Sequence, residues 1–249
     1  MHLLSFYQEH AMENEVYLRH IKNYQNHWWF QSRKNIIEKI IKKNLKKKKL
    51  KILDFGSGSG VNIFMLSKYG HVSIFETHKK TQKYLKKLYK GSKFQVLNSL
   101  TDQKFDLILM ADVLEHIKND KNQIKFLSKR LKKNGKILLT VPAFKYLFTH
   151  KDTILGHYRR YNIREIKEIF KNFRVLKLTY FNFFLFVPIA FSLIFFKILK
   201  SNFIDSVEKK PNYIINYILF IIFNVETKII NIFNFPFGIS ILGLFEKND

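Results

Sequence analysis

The chain contains no cysteine. Disulfides, thiolate metal sites and cysteine nucleophiles are therefore excluded, and folding needs no oxidising compartment. Acidic residues are scarce: 19 Asp and Glu stand against 44 Lys and Arg, a formal net charge of +25. That balance points to a polyanionic partner, either nucleic acid or an anionic membrane surface. Lys, Asn, Ile and Phe, all encoded by AT-rich codons, are abundant together, so codon bias explains much of the excess equally well. Charge alone does not choose a substrate. Met1–Glu9 lacks a basic start followed by an apolar core, so no secretory signal is expected. Apolar residues are not lacking. They make up 47% of the 249 residues, with 26 Phe, enough for one sizeable core plus decoration.

Glycine is sparse, nine in all, yet three of the nine alternate in Asp54-Phe55-Gly56-Ser57-Gly58-Ser59-Gly60. A buried strand ending in such a loop lets a ligand approach bare backbone. A helix starting near Val61 would aim its N-terminal amides and dipole at the same place. The dinucleotide fingerprint needs its third glycine where Val61 stands, and a phosphate P-loop needs a Gly-Lys-Ser/Thr ending that is absent. From Lys51 onward strands alternate with helices, the signature of a parallel sheet covered on both faces. Strands are predicted at 51–55, 72–75, 94–97, 105–110, 136–141, 173–181 and 239–245. Helices are predicted at 61–69, 81–89, 122–131 and 163–170, and residues 1–50 look helical, with Tyr17, Ile21 and Tyr24 and then Ile36, Ile37, Ile40 and Ile41 at helical spacing. Lys46–Lys49 reads as a solvated connector, with nucleic-acid contact as the minor option. Glu76 ends the second strand roughly twenty residues after the glycine loop, where a carboxylate can accept both ribose hydroxyls of a nucleoside.

Two uncharged runs, 183–196 and 213–225, interrupt the alternation. Each is shorter than the ~20 residues a spanning helix needs. Between them stand Lys197, Lys200, Lys209 and Lys210, which two spanning helices would carry across, against the positive-inside tendency. The expectation is an apolar helical hairpin lying in one leaflet, with a buried helical cap or dimer interface as the other option.

The glycine loop resembles the first motif of class I S-adenosylmethionine-dependent methyltransferases. Asp112-Val113-Leu114-Glu115-His116 resembles the motif after the fourth strand in methyltransferases of the ubiquinone-biosynthesis type and many small-molecule relatives. Asn26-His27-Trp28-Trp29-Phe30-Gln31-Ser32-Arg33 and the stretch from Val141-Pro142-Ala143-Phe144 through Gly156-His157-Tyr158-Arg159-Arg160-Tyr161 extend the resemblance to a bacterial and archaeal subgroup of that family. It covers about residues 20–180 and the last strand. It implies a Rossmann-like, doubly wound α/β sheet of seven strands, the last antiparallel at the sheet's edge. The implied division is an N-terminal helical cap (1–50), a methyltransferase domain (51–182 plus 236–249) and an apolar insertion (183–235).

The resemblance also implies a cofactor, S-adenosyl-L-methionine, held by Asp54, Gly56, Gly58, Gly60 and Glu76, with Asn98, Ala111 and Arg33 as further contacts. Relatives often carry an acid where Asn98 stands, so that contact departs from the pattern. His116 is the candidate general base, since imidazole titrates near neutrality, and Asp112 borders the reacting centre. Trp29, His150, Asp152, His157, Arg159, Arg160 and Tyr161 are candidates on the acceptor side, where arginines flanked by tyrosines suit phosphate or carboxylate. One arginine could instead hold Asp152 in a structural pair. His27, His116, His150 and His157 with Asp152 have no compact ligand spacing, so no metal is expected. The expected activity is methyl transfer to a small-molecule or lipid-linked acceptor, such as a glycan intermediate or quinone precursor, at the cytoplasmic face of a membrane. An RNA methyltransferase and a non-catalytic, membrane-associated nucleoside-binding protein are the rivals, and a NAD-dependent enzyme is the third.

Overall fold

A computed structural model describes residues 26–46, 49–100, 102–198 and 211–248. The helical spacing at Tyr17, Ile21 and Tyr24 lies outside the described residues, as do residues 47–48, Lys200, Lys209 and Lys210.

Short apolar runs bounded by turn residues become strands because both of their faces must be covered. β1 (Leu50–Phe55), β2 (Gly70–Phe75), β3 (Gln95–Leu97) and β4 (Phe105–Ala111) pair in parallel, and β5 (Leu131–Pro142) joins β4 in the same sense. β6 (Phe173–Phe181) and β7 (Ser240–Lys247) complete a seven-stranded sheet of order β3-β2-β1-β4-β5-β7-β6. β7 is antiparallel to both neighbours, β5 and β6. It does not lie at the edge, as the resemblance implied. Seven of its eight residues are buried, so it needs a partner on each side, and β6 takes the edge.

The strand order reverses between β2 and β4, on either side of β1. Doubly wound sheets open a crevice at the carboxyl ends of the strands at this switch point. α2 (Ile63–Ser67), α3 (Lys79–Leu88), α4 (Asp120–Ser128), α5 (His150–Ile154) and α6 (Ile163–Ile169) follow β1, β2, β4 and β5. α2 is shorter than predicted because Val61 and Asn62, and at its other end Lys68 and Tyr69, belong to turns. α4 starts two residues early because the Asn119 side chain accepts from the Asn122 N–H and so fixes the helix N-terminus.

α1 (Trp28–Asn44) is capped by His27, whose Nδ1 accepts from the Trp29 N–H at 3.2 Å. Its Ile36, Ile37, Ile40 and Ile41 are fully buried in the main core. The two uncharged runs form α7 (Phe186–Ile198) and α8 (Tyr213–Ile229). They do not pair lengthwise as a hairpin among the described residues. α8 lies along α1, and α7 meets the short turn Lys145–Leu147. The reason is polar: Asn216 accepts from the Trp28 N–H at 3.0 Å and Asn224 accepts from Asn35 at 3.0 Å, which ties α8 to α1. No described helix is long and apolar enough to cross a membrane.

Candidate active site

The loop after β1 places its glycines for different reasons. Gly56 has φ +72°, and a Cβ there would lie 2.7 Å from a Val113 methyl. Gly58 has φ +52° and nothing within 4 Å of its Cβ position, so its bare backbone faces open space. The Gly60 N–H closes the turn by donating to the Ser57 carbonyl at 2.9 Å. Gly56, Ser57, Gly58, Ser59, Val61 and Asn62 line a cavity of about 540 Å³. That volume suits a ligand of cofactor or drug size.

Glu76 ends β2 on the wall of this cavity. One carboxylate oxygen accepts from the Gly58 N–H at 2.9 Å and the other from the His78 N–H at 2.8 Å. Burial pushes its carboxyl up, and these backbone donors oppose the shift. Asp54 lies behind the loop, almost fully buried, with Oδ2 unpartnered. Burial, and then the Glu76 charge, push its carboxyl up to about 7.

β4 delivers Ala111, Asp112, Val113, Glu115 and His116 to the same cavity. Asp112 is held fast: its N–H donates to the Thr140 carbonyl at 3.0 Å, Thr140 Oγ1 donates to its Oδ1 at 2.7 Å, and Arg33 donates to its Oδ2. Arg33 comes from α1 and is buried, which lowers its guanidinium to about 10, still protonated at neutral pH. Its Nε has no partner and remains as a donor. Trp29, from the same helix, also lines the cavity and stacks on Phe181 with ring centroids 6.2 Å apart.

The segment after β5 supplies the other wall. Asp152 sits in the first turn of α5 and accepts from the Thr149 N–H at 2.9 Å, an N-terminal capping box. Its carboxylate also meets His157 Nδ1 at 2.9 Å and accepts from Arg160 Nε and Nη2 at 2.8 and 3.1 Å. Burial raises this carboxyl, but the His157 and Arg160 contacts outweigh it and hold it well below the usual carboxylate range. Burial also pulls the His157 imidazole below its ordinary value, while Asp152 partly opposes that. The His157 ring meets His116 edge to face with centroids 4.6 Å apart.

Glu115 escaped the sequence reading. It is fully buried, lines the cavity, and neither carboxylate oxygen meets a partner from another residue. Burial pushes its carboxyl up to about 8, so it keeps its proton at neutral pH. The available signal was one carboxylate inside the apolar phrase Val113–Ile117. Glu115, His116 and His157 can present one ligand atom each within 4.8 Å of one another, a cluster that sequence spacing did not reveal. Arg33 and Arg160 already supply positive charge to Glu115 there.

Several candidates stand elsewhere. Asn98 is exposed beyond the three-residue edge strand β3 and accepts from Lys86 Nζ at 2.6 Å, away from the cavity. His150 is exposed on the first turn of α5 and does not line it. Arg159 donates to Asp120 at 3.0 Å and to the Lys118 carbonyl at 2.7 Å. Tyr161 is buried, its hydroxyl 3.2 Å from the Leu114 carbonyl and 3.1 Å from Asp120. Both belong to the framework that holds the loop after β4, because Tyr161 also bridges to Ala143 beside β5. Of the two arginines only Arg160 reaches the cavity, and it is the one that holds Asp152.

A sequence profile described as "Methyltransferase domain" matches residues 26–175, more than half of the chain. The chain belongs to the class I S-adenosylmethionine-dependent methyltransferases. The methyltransferase shares its fold with solved structures of low sequence identity. The plantazolicin methyltransferase BpumL, solved with S-adenosylhomocysteine, superposes with a TM-score of 0.59 at 14% identity, over 99% of this chain and 94% of that one. Coclaurine N-methyltransferase gives 0.54 at 15% identity, over 85% and 71%. The YcgJ protein of Bacillus subtilis gives 0.54 at 14%, over 86% and 98%. A search of curated proteins finds no match.

The cavity fits the family's cofactor on its own chemistry. Gly58 opens bare backbone to it, and the buried Ser57 Oγ and Asn62 Oδ1 on its wall have no hydrogen-bond partner. Buried polar groups are normally paired, so these two, with the Glu76 carboxylate, fit a polar ligand.

Proposed function

We propose that this methyltransferase acts on a small-molecule or lipid-linked acceptor with an apolar body and a polar, proton-bearing head. The observation that carries the reading is the composition of the cavity lining. The glycine loop and Glu76, the His116–His157 pair, and the apolar Leu185, Ile189 and Leu193 all line the same space. S-adenosylmethionine, when bound, supplies a methyl group already activated by its sulfonium.

The protein's own residues then have three tasks. Ser57, Gly58, Asn62 and Glu76 bind the cofactor, and the unpartnered Nε of Arg33 offers a donor to an anionic group. Trp29 and the α7 residues exclude water and seat the apolar body, so that the acceptor atom is aligned. His157, oriented at Nδ1 by Asp152 and kept neutral by burial, takes the acceptor's proton at its other ring nitrogen, with His116 packed beside it. Glu115, holding its own proton, can donate a hydrogen bond into the cavity.

Methyl-labelled S-adenosylmethionine, incubated with the protein and an extract of lipids and metabolites, should label a small or organic-soluble product. His157→Gln should lower kcat by about 10²- to 10⁴-fold with S-adenosylhomocysteine affinity unchanged. Label recovered in RNA, or full activity in the His157 variant, would contradict the acceptor class or the base respectively.

A further inference from the structure

α8 is built inside out for a helix in water. Its Asn216, Asn224 and Glu226 side chains face the protein, while Tyr213, Tyr217 and the last-turn Lys228 are exposed. Asn216 bonds to Trp28 and Asn26, Asn224 to Asn35 and Ser32, and buried Glu226 accepts the N–H groups of Asn182, Phe183 and Phe184 at 2.7–3.1 Å. Its opposite face carries Ile214, Ile218, Ile221, Val225 and Ile229, exposed by 37–68%. Their spacing of four, three, four and four is one continuous helical stripe.

α7 likewise turns an apolar stripe outward. Val187, Phe191, Ile194 and Ile198 form an outward stripe, exposed by 40–73%. The inner face of the same helix presents Pro188, Ile189, Ser192 and Leu193 to the cavity. A soluble surface helix turns its polar side to water, and contiguous exposed apolar surface marks an interaction site.

We propose that the outward stripes of α7 and α8 lie in the headgroup region of an anionic lipid leaflet, and that a lipid acceptor reaches the cavity along α7 directly from that leaflet. The second half rests on the proposed function. Among the described residues neither helix is long and apolar enough to span, which fits a placement in the plane of the interface. The net charge of +25 favours a lipid leaflet over a second copy of the chain as the occupant. It attracts an anionic leaflet, and it repels a second copy of the same chain.

The test is vesicle flotation, which needs neither cofactor nor acceptor. The wild-type protein should float with vesicles of phosphatidylglycerol and phosphatidylcholine in equal parts, and at least about tenfold less with phosphatidylcholine alone. Val187→Asp with Phe191→Asp, and separately Ile214→Asp with Ile218→Asp, should each lower flotation about tenfold or more. These positions are exposed, so the variants should keep the wild-type melting temperature and S-adenosylhomocysteine affinity, which confirms folding. Absence of flotation, flotation indifferent to both variants, or a stable dimer that the variants dissociate would overturn the proposal. Because no turnover is read, a failure here leaves methyl transfer to be judged by the labelling experiment.

Discussion

At Gly58 the backbone is left-handed and a side chain would point into empty cavity. Asp tolerates that conformation better than most residues, so Gly58→Asp should fold while its carboxylate occupies the cradle. We expect S-adenosylhomocysteine affinity to fall at least about 100-fold by calorimetry, with a melting temperature within about 3 °C of wild type. Unchanged affinity would remove the glycine loop from the cofactor site. Gly56, Gly58, Glu76, Arg33 and His116, which line the cavity, were legible in the sequence because a local motif carries each, whereas Gly60 and Asp54 of the same motif stand behind it. Glu115 and the Asp152–His157 contact were not. Whether a carboxylate in an apolar phrase is orphaned depends on residues some forty positions away, and spacing along the chain carries no such information.

The apolar segments illustrate the same division for elements. Their helical character follows from composition, but their partners do not. α8 is fastened by Phe223, fully buried against Trp28, Trp29 and Phe181 with ring centroids 5.5–6.0 Å apart. Phe223→Ala should cost about 3–5 kcal/mol in denaturant unfolding.

Glu226 fastens the approach to α7, and burial raises its carboxyl from the ordinary 4.5 to about 7 despite three backbone donors. The folded state therefore holds a proton that the unfolded chain has released between those two values. Its contribution to stability is fully present below the unfolded value and is lost as pH rises through 7. Glu226→Gln removes this titration. The stability of wild type relative to the variant should fall by roughly 3 kcal/mol between pH 4.5 and 8, read from paired denaturant curves. A pH-independent difference would show that Glu226 titrates normally.

For the whole molecule the question is whether residues 183–235 are a removable insertion. Phe223, Ile230 and Phe235 belong to the main hydrophobic core, and Lys43 donates to the Asn231 carbonyl at 2.8 Å. The segment also precedes β7, which must return to lie between β5 and β6. Deleting 183–235 with a short linker should therefore abolish the cooperative thermal transition rather than release an intact domain. A calorimetric transition retaining most of the wild-type enthalpy would show that the insertion is independent. Residues of α1, the sheet and α8 share one hydrophobic core, and α1 also contributes Trp29 and Arg33 to the cavity.

The sequence by itself determined the alternating α/β class, the cradle after β1, the carboxylate one strand away and the loop after β4. Each is a short-range pattern in which backbone freedom, hydrophobic period and side-chain type fall within a few residues of one another. Tertiary structure alone decided that β7 is interior, that His116 meets His157, that Arg160 rather than Arg159 holds Asp152, and that α7 and α8 turn apolar stripes outward. The physical reason is common to all four. An apolar helix or strand must be covered, but its own residues do not say by what, and only closure of the chain around the sheet settles which faces are buried.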